Sequence, residues 1–337
     1  MRQMLKTLSE YIRSGRPAVL VTVIASSGAT PRGAGARMLV GEEGRICGTI
    51  GGGAVEYRST GLAMEALSTG HSHEHNFTLT KDDVQNLGMI CGGAVDVFFR
   101  YIAAGDKEVV ALCEEAQRLF SKGRDMWLLY DISRGGTLGL YTKEEGFFPQ
   151  GAFDFMPDML SRHPVRITGV GHDIYSEQIS SSGRVYVFGC GHVAQELVPV
   201  LAHVGFPCVA LDDRPEFADR ALFPTAHEVK RIDFARIFDA VEIGPEDYVC
   251  VMTRGHAFDA VVQAQVLKTP ACYIGVIGSA AKKAGVFQRL YEQGFTTADT
   301  DRITSPIGLA IKAETPAEIA ISIAGQLIEF RARRNAQ

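Results

Sequence analysis

The feature that most restricts the fold is an alternation of strands and helices through the second half of the chain. Apolar runs such as RVYVFG and DYVCVMT alternate with helical patterns as far as Leu290. Strands that are apolar on both faces and alternate with helices are typical of a parallel sheet covered by helices. We therefore predict a Rossmann-like parallel sheet domain, ending in a helix, over residues 183–337.

The turn after the first of these strands carries the strongest local motif. Gly189, Gly191 and Ala194 match G-x-G-x-x-A between a strand and a helix, where small residues permit a tight turn and the helix N-terminus favours an anion. Asp212 follows about twenty residues later, where an acid binds the ribose in dinucleotide-binding domains, whereas the cation Arg214 suits a phosphate. The glycines therefore indicate phosphate binding or, alternatively, close helix-to-strand packing alone.

Polar loops follow several strands of the same predicted sheet. Because the carboxyl ends of parallel strands meet at one edge, we expect these residues to rim one cleft. The expected rim residues are His192, Asp212, Arg214, Arg254, His256, Ser279 and Lys282. A histidine without a visible partner is equally well explained as a solvated side chain.

The first half of the chain has a different texture and predicts a mixed α+β domain over residues 1–182. An amphipathic helix is followed by strand-like segments, a hairpin and further helices. Residues 121–182 show one strand pair and then, between Pro149 and Pro164, turn residues without a clear period. That stretch is predicted to be a linker or an excursion from the first domain.

Glycines are also concentrated in the first domain, around Arg32 and Arg37 and again at Gly51, Gly52 and Gly53 before a helix. Backbone amides exposed by such loops, together with the arginines, would bind a phosphate or a carboxylate. A pair of tight hairpins with solvated arginines is the alternative interpretation.

Cys91 is the first of the seven cysteines to test as a reactive thiol, because Gly88, Gly92 and Gly93 surround it and leave its sulfur open to a ligand. Cys190 lies inside the glycine turn and is open to both interpretations. Core positions are predicted for Cys47, Cys113, Cys208, Cys250 and Cys272. The sequence contains no CxxC pair, the pattern that would predict a zinc or thioredoxin-like site.

Charge and hydropathy exclude two classes of partner. The chain has 39 acidic and 34 basic residues and no long basic tract, so nothing attracts it non-specifically to nucleic acid or to an anionic membrane. No apolar run has the length of a membrane span, and the start lacks the apolar core of a signal peptide. We expect a cytoplasmic protein that binds a small ligand or another protein.

Taken together, these motifs resemble the XdhC/CoxI family, the accessory proteins of xanthine dehydrogenase and related molybdenum hydroxylases. The resemblance runs through most of the chain and is weakest between 121 and 183. The matching segments are TVIASSGATPRGAGARMLV, CGGAVDVFF, VYVFGCGHVAQEL, LDDRPEFADRALFP, VMTRGHAFD and YIGVIGSAAKK.

The resemblance implies a maturation factor more than a catalyst. Such a protein binds the molybdenum cofactor (molybdopterin), holds it for sulfuration with a cysteine desulfurase, and delivers it to an apo xanthine dehydrogenase or a related molybdenum hydroxylase. By this resemblance, Cys91 is the thiol near the molybdenum, and the glycine turn takes the phosphate. Ala54 stands where many members have a cysteine, and Lys312 stands where a glycine is common.

Two other functions compete with the cofactor chaperone. An NAD(P)-dependent oxidoreductase is suggested by the glycine turn followed by Asp212, but that reaction also needs a substrate-side acid or base, which the first domain does not clearly offer. The third is a scaffold that has lost its ligand. The helix from Thr315 to Arg331 is predicted to pack across the domain junction or against a second copy of the chain, and we expect a homodimer.

Overall fold

The computed structural model describes residues 1–28, 30, 32–78, 93–180, 183–278 and 280–335. The chain folds as two compact units, Met1–Ser181 and Ser182–Gln337. In the described residues, the first unit contains two antiparallel sheets and the second contains one parallel sheet. The predicted fold class, a mixed α+β part followed by a Rossmann-like parallel sheet, is confirmed.

The first sheet of the first unit is antiparallel and five-stranded. Its elements are α1 (Arg2–Arg13), β1 (Ala18–Gly28), β2 (Arg37–Gly41), β3 (Gly44–Thr49), α2 (Gly53–Thr69), β4 (His73–Thr78) and β5 (Gly93–Ile102). The strand order is β3-β2-β1-β5-β4. Side chains of β1 alternate between two cores: Val19 and Val21 pack with α2, whereas Leu20 packs with α1. Because both faces are covered, the buried part of β1 is apolar except for Thr22, whose hydroxyl hydrogen-bonds with Tyr130, and it shows no polar alternation.

Residues 126–180 form a second five-stranded antiparallel sheet, of which the sequence predicted only one strand pair. It follows a helix, and the elements are α3 (Lys107–Lys122), β6 (Met126–Asp131), β7 (Thr137–Thr142), β8 (Gly146–Phe148), β9 (Val165–Gly169) and β10 (His172–Ser180). The order is β8-β7-β6-β10-β9. The stretch 149–164 is not a linker, since Phe153 and Met159 cover the outer face of this sheet against Leu129 and Ile174.

The second unit contains a six-stranded sheet in which all strand pairs are parallel. Its elements are β11 (Val185–Phe188), α4 (His192–His203), β12 (Cys208–Asp212), β13 (Glu228–Arg231), β14 (Tyr248–Val251), α5 (Gly255–Val266), β15 (Tyr273–Val276), α6 (Ala280–Glu292), α7 (Thr297–Thr300), β16 (Ile303–Thr304) and α8 (Pro316–Asn335). The order β13-β12-β11-β14-β15-β16 is the 3-2-1-4-5-6 order of dinucleotide-binding domains.

The C-terminal helix α8 packs on the sheet of its own unit. Ala320, Ile323 and Leu327 are buried in one cluster with Leu197 and Leu201 of α4. One face of α8 therefore covers the parallel sheet, and packing of the helix across the domain junction or against a second copy stays a prediction.

Two further features are the backbone conformation of Lys312 and the apolar character of the helices. Lys312, in the loop before α8, has φ = 60° and is the only non-glycine residue with positive φ in the described ranges. Only glycine adopts that conformation without steric cost. Among the described helices, none combines the length and apolar character that crossing a bilayer requires.

Candidate functional site

The glycine turn after β11 is built for close approach. Gly189 has φ = 104°, and a Cβ at this position would lie 2.3 Å from the carbonyl oxygen of Met252. Gly191 precedes α4, whose first turn has no side-chain cap, and a Cβ there would meet nothing within 4 Å. Among the described residues, no side chain caps the first amides of α4, and the space beside Gly191 is open, which is an arrangement that suits an anion at a helix N-terminus. His192, the first residue of α4, is exposed.

The buried side chain of Asp212 stabilises the glycine turn through hydrogen bonds. Its buried carboxylate accepts hydrogen bonds from the Cys190 amide (2.8 Å) and from the Arg214 amide, Nε and Nη2 (2.9–3.0 Å). Burial alone would raise the pKa of Asp212, but the hydrogen bonds from Arg214 and Cys190 outweigh it and lower the pKa. Both carboxylate oxygens are thus occupied by the chain itself, which leaves no lone pair directed at a ribose.

A salt bridge joins the loops after β12 and β14. Arg254 Nη2 lies 2.9 Å from Asp213 Oδ2, and β12 and β14 are the strands on either side of β11. The pair therefore spans the end of β11, where the glycine turn begins. The sequence did not predict that Asp213 pairs with Arg254, because the pairing depends on the order of the strands in the sheet.

Aromatic rings hold both arginines of this edge. The Arg214 guanidinium lies 3.6 Å from the ring centroid of Phe217, and that of Arg254 lies 5.4 Å from the centroid of Phe258. Cation–π contacts of this kind restrict the arginine side chains while leaving donors for an anion. With half of its side chain exposed, Arg254 can reach a ligand more readily than Arg214.

A buried polar cluster that the sequence did not indicate lies beside these loops. Thr253 Oγ1 donates to Asp259 Oδ1 at 2.5 Å, and both residues are buried. Among the described residues, none accepts a hydrogen bond from Nε2 of buried Gln263, and this side chain lines a cavity of about 10 Å³ with Asp259 and Lys283. That volume suits about one water molecule.

The remaining predicted rim residues are placed only in part. His256 and Lys282 lie on α5 and α6, but their side chains fall outside the described part of the structure, as does Ser279 altogether. What the structure brings together from the predicted set is the group Gly189, Gly191, His192, Asp212, Arg214 and Arg254.

In the first unit, the expected anion site at Gly51, Gly52 and Gly53 is filled by the chain's own carboxylate. All three glycines have positive φ, and the amides of Ile50 and Gly52 donate to Glu56 Oε2 at 3.1 Å. Glu56 lies one turn into α2, so that its side chain reaches back to the loop. The amides of Ile50 and Gly52 thus already have an acceptor within the chain, and binding of an external anion at the three glycines stays a prediction.

Further contacts hold the Glu56 carboxylate in the loop. Thr49 Oγ1 donates to it at 2.5 Å, and Arg45 lies 3.2 Å away. Burial alone would raise the pKa of Glu56, but the hydrogen bonds from Thr49, Gly52 and Ile50 outweigh it and lower the pKa.

The two arginines of the first glycine-rich loop differ in environment. Arg37 is buried and forms an ion pair with buried Glu177, which also accepts a hydrogen bond from Tyr175 at 2.8 Å. The carboxylate partner expected for Arg37 therefore comes from β10. Arg32 is exposed and, with Arg37 and Thr49, lines a cavity of about 410 Å³.

Cys91 and Gly92 lie outside the described residues. Gly93 begins β5 and lies opposite Gly28 in the strand register. The other cysteines are free thiols, and burial raises the pKa of Cys113, Cys190 and Cys250 to about 12. In the part of the chain that the structure describes, no group of three or more His, Cys, Asp or Glu side chains is placed to hold a metal ion.

Comparison with known proteins gives a consistent result. The model of the XdhC Rossmann domain matches residues 185–327, and that of the XdhC and CoxI family matches residues 11–80. A protein of Bacillus subtilis (strain 168) that is named as a probable subunit of xanthine dehydrogenase is 25% identical, over 97% of this chain and 97% of its own length. The "Molybdenum cofactor insertion chaperone PaoD" of Escherichia coli (strain K12) is 22% identical, over 98% and 88%.

A solved structure is similar to this chain over almost its whole length. The crystal structure of a xanthine dehydrogenase from Bacillus halodurans matches with a TM-score of 0.79 at 25% identity, covering 99% of this chain and 96% of that one. The match covers both units and so includes residues 93–180, which neither family model matches.

Proposed function

Because the chain belongs to the XdhC and CoxI family, we propose that it is a maturation factor that binds the molybdenum cofactor and delivers it to a xanthine dehydrogenase-type molybdenum hydroxylase. The observation that carries this proposal is the open start of α4 behind Gly191, with two arginines held at the same edge of the sheet. The cofactor, a pterin with a dithiolene and a phosphate, is here the cargo.

The phosphate of the cargo is proposed to bind at the glycine turn. The uncapped amides of α4 supply N–H donors, and the helix dipole adds a favourable positive potential. Gly191 leaves the space in front of these amides open, whereas Gly189 lets the turn pack on Met252. Asp212 keeps the turn in shape by holding the Cys190 amide and is not itself a ligand contact.

Arg254 is proposed to be the side chain that meets the phosphate. Its guanidinium is half exposed and lies on the loop that flanks the glycine turn. A planar guanidinium donates two parallel hydrogen bonds to a phosphate, which fixes orientation as well as charge. Arg214 is held more tightly, by Asp212 and Phe217, and contributes mainly to the local positive potential.

Cys91, with Gly92 and Gly93, remains the proposed thiol partner of the molybdenum. A soft thiolate is a suitable transient ligand for this metal. The described cysteines are poor alternatives, because burial keeps Cys113, Cys190 and Cys250 protonated at neutral pH. We further propose that a cysteine desulfurase sulfurates the cofactor while the chain holds it.

An NAD(P)-dependent oxidoreductase is the second candidate, favoured by the 3-2-1-4-5-6 strand order and the glycine turn. The occupied carboxylate of Asp212 weighs against it. A dinucleotide would need this acid for its ribose, and freeing the acid would cost the turn its internal support.

Native mass spectrometry of the protein from a host that makes the cofactor tests the proposal. We expect a retained molybdopterin mass in the wild type, a reduced one in Cys91→Ala, and an unchanged one in Cys47→Ala, the control at a partly buried thiol of the first unit. A retained dinucleotide without pterin would favour the oxidoreductase and contradict cofactor transfer. Equal pterin retention in the Cys91→Ala variant would remove Cys91 from the site but leave the cofactor proposal intact.

A further inference from the structure

The first unit has a concentration of positive charge of its own, at the cavity of about 410 Å³ beside Arg32 and Arg37. The described residues that line it all belong to the first unit, so the glycine turn takes no part in it. Its volume lies within the range of small-molecule sites in proteins, which is about 300–1,000 Å³. We call it the Arg32 cavity.

The guanidinium of Arg37, which lines this cavity, is only partly satisfied within the chain. Arg37 is 6% exposed, and its Nη1 atom forms the ion pair with Glu177 and lies 3.8 Å from the Met1 sulfur. Its Nε and Nη2 atoms are buried, and none of the described residues accepts a hydrogen bond from them. Because buried charged donors without an acceptor are costly, this arrangement indicates a missing partner.

The Nε and Nη2 atoms form one edge of the guanidinium fork, and this edge binds a carboxylate elsewhere in the molecule. The same two atoms of Arg166 donate to Asp173 at 2.9 and 2.7 Å. Those of Arg214 donate to Asp212 at 2.9 and 3.0 Å. Such an edge donates two parallel hydrogen bonds to a carboxylate or a phosphate. The remaining edge of Arg37 therefore has the geometry for one oxyanion.

Arg32 supplies a second cation to the same cavity. Its side chain is exposed, and the loop that carries it is fixed to β1, because the Gly35 amide donates to the Val23 carbonyl at 2.9 Å. Glu177 is the acid among the described lining residues, against two arginines. The charged side chains of the lining therefore favour an anion.

Other polar groups of the lining are engaged within the chain. Thr49 Oγ1 donates to Glu56 and accepts a hydrogen bond from the Gly51 amide at 3.1 Å. Gln178 Nε2 donates to Asp125 at 3.1 Å. The two arginines are thus the groups of this cavity that have donors to offer a ligand.

Apolar side chains complete the lining of the Arg32 cavity. They include Met4, Ala36 and Ile179. A methionine thioether is polarizable and adapts to the shape of its neighbour, and it packs favourably against aromatic rings. The cavity therefore suits a molecule that has an apolar ring as well as an anionic group.

We propose that the Arg32 cavity binds a small aromatic molecule that carries one carboxylate or phosphate group. The oxyanion lies between Arg32 and the Nε and Nη2 edge of Arg37, and the ring lies against Met4 and Ile179. Because Arg37 stays paired with Glu177, the ligand shares this cation with the carboxylate. The site involves no residue of the glycine turn and does not depend on the proposed function.

Fluorine NMR titration with 4-fluorobenzoate and 4-fluorophenyl phosphate tests the site, and the neutral molecule 4-fluorobenzamide is the uncharged control. The Arg254→Gln variant is used as the parent protein, so that the glycine turn contributes little to the binding of phosphate. We expect at least one of the anions to bind about tenfold more tightly than the amide. The anion that binds more tightly identifies the group as a carboxylate or a phosphate.

Substitution of the exposed arginine tests its contact with the anion. Arg32→Gln is expected to weaken anion binding about tenfold. Arg16→Gln is the matched control at another exposed arginine of the first unit that does not line the cavity, and it is expected to bind like the parent. Thermal melting checks that each variant is folded. Binding of neither anion, equal binding of the amide, or an unchanged affinity in Arg32→Gln would each overturn the proposal.

Two further variants test the part of Arg37. Glu177→Gln removes the charge that competes for the guanidinium, so we expect anion binding at least about threefold tighter and a larger rise in melting temperature on adding the anion. Arg37→Lys keeps the charge but has no two-nitrogen edge, and it is expected to weaken binding about fivefold. A purely structural ion pair would lose stability in both variants without these changes in affinity, which would overturn the role of Arg37. Retention of molybdopterin is measured separately, so either proposal can fail alone.

Discussion

Arg254 and Asp213 form a 2.9 Å ion pair although their strands, β14 and β12, are not neighbours in the sheet. The pair reaches across the end of β11 and so lies at the mouth of the glycine turn. An anion that enters the turn meets Arg254 while its guanidinium is already paired with a carboxylate. Anion binding and this salt bridge therefore compete for the same cation.

The competition predicts that Asp213→Asn strengthens anion binding. We expect inorganic pyrophosphate, measured by titration calorimetry at low salt, to bind up to about fivefold more tightly, because a partly exposed ion pair is worth up to about 1 kcal/mol. In an Arg254→Gln background the same substitution is expected to have no effect. Weaker binding of the Asp213→Asn variant would instead show that Asp213 positions Arg254 for the ligand.

Substitution of the two turn glycines by alanine is expected to have different effects. At Gly189 it lowers stability, and at Gly191 it weakens anion binding. Gly189→Ala forces a Cβ against the Met252 carbonyl at a positive φ, so we expect a loss of at least about 2 kcal/mol of unfolding free energy. Gly191→Ala meets no neighbour and is expected to cost at most about 1 kcal/mol, while its methyl group obstructs the α4 amides and weakens pyrophosphate binding. Urea unfolding and calorimetry on the pair check this, and equal stability of the two variants would refute it.

Glu56 predicts a stability change on the acid side. Because its pKa is lowered in the folded protein from an ordinary value of 4.5, its stabilising contribution is present above that pH and is lost as pH falls through the folded pKa. Glu56→Gln is expected to cost about 1–2 kcal/mol at pH 7 and progressively less below pH 4.5. Urea unfolding across pH checks this, with Glu65→Gln at an exposed position of α2 as control. A cost that stays constant with pH would contradict the assignment.

The positive φ of Lys312 predicts that the substitution Lys312→Gly stabilises the folded protein. The left-handed conformation lowers the unfolding free energy by about 1–2 kcal/mol when a non-glycine residue adopts it, and the substitution removes this cost. The greater conformational freedom of glycine in the unfolded chain offsets about 0.5–1 kcal/mol of the gain. We expect a net stabilisation of about 0.5–1 kcal/mol in urea unfolding. Ala313→Gly, at a neighbouring position without positive φ, is expected to destabilise. A Lys312→Gly variant that is less stable than the wild type would show that the lysine side chain makes a contribution of its own.

The parallel sheet could be predicted from sequence because its central strands are apolar on both faces and lie between recognisable helices. Its edge strands β13 and β16 could not, since they are short and, in β13, largely polar. Of the second antiparallel sheet, the sequence predicted only one strand pair, for a similar reason. In β9, Arg166 donates to Asp173 and to Glu74. A strand that contains such charged residues resembles a loop in composition.

The candidate site was predictable where function depends on local backbone and unpredictable where it depends on pairing across the fold. Gly189 and Gly191 belong to a local motif, and their places in the turn follow from it. The Asp213 partner depends on strand order, and the capture of the triple-glycine amides by Glu56 depends on how the chain turns into α2. Both are contacts that spacing alone leaves undetermined.

The burial of the thiols has a practical consequence for chemical labelling. Burial raises the pKa of Cys190 to about 12, so its side chain stays protonated at pH 7, and the same holds for Cys113 and Cys250. A maleimide dye at neutral pH therefore spares these core cysteines without any need to replace them. On the proposed function, modification of Cys91 by the dye is then expected to slow when molybdopterin is bound.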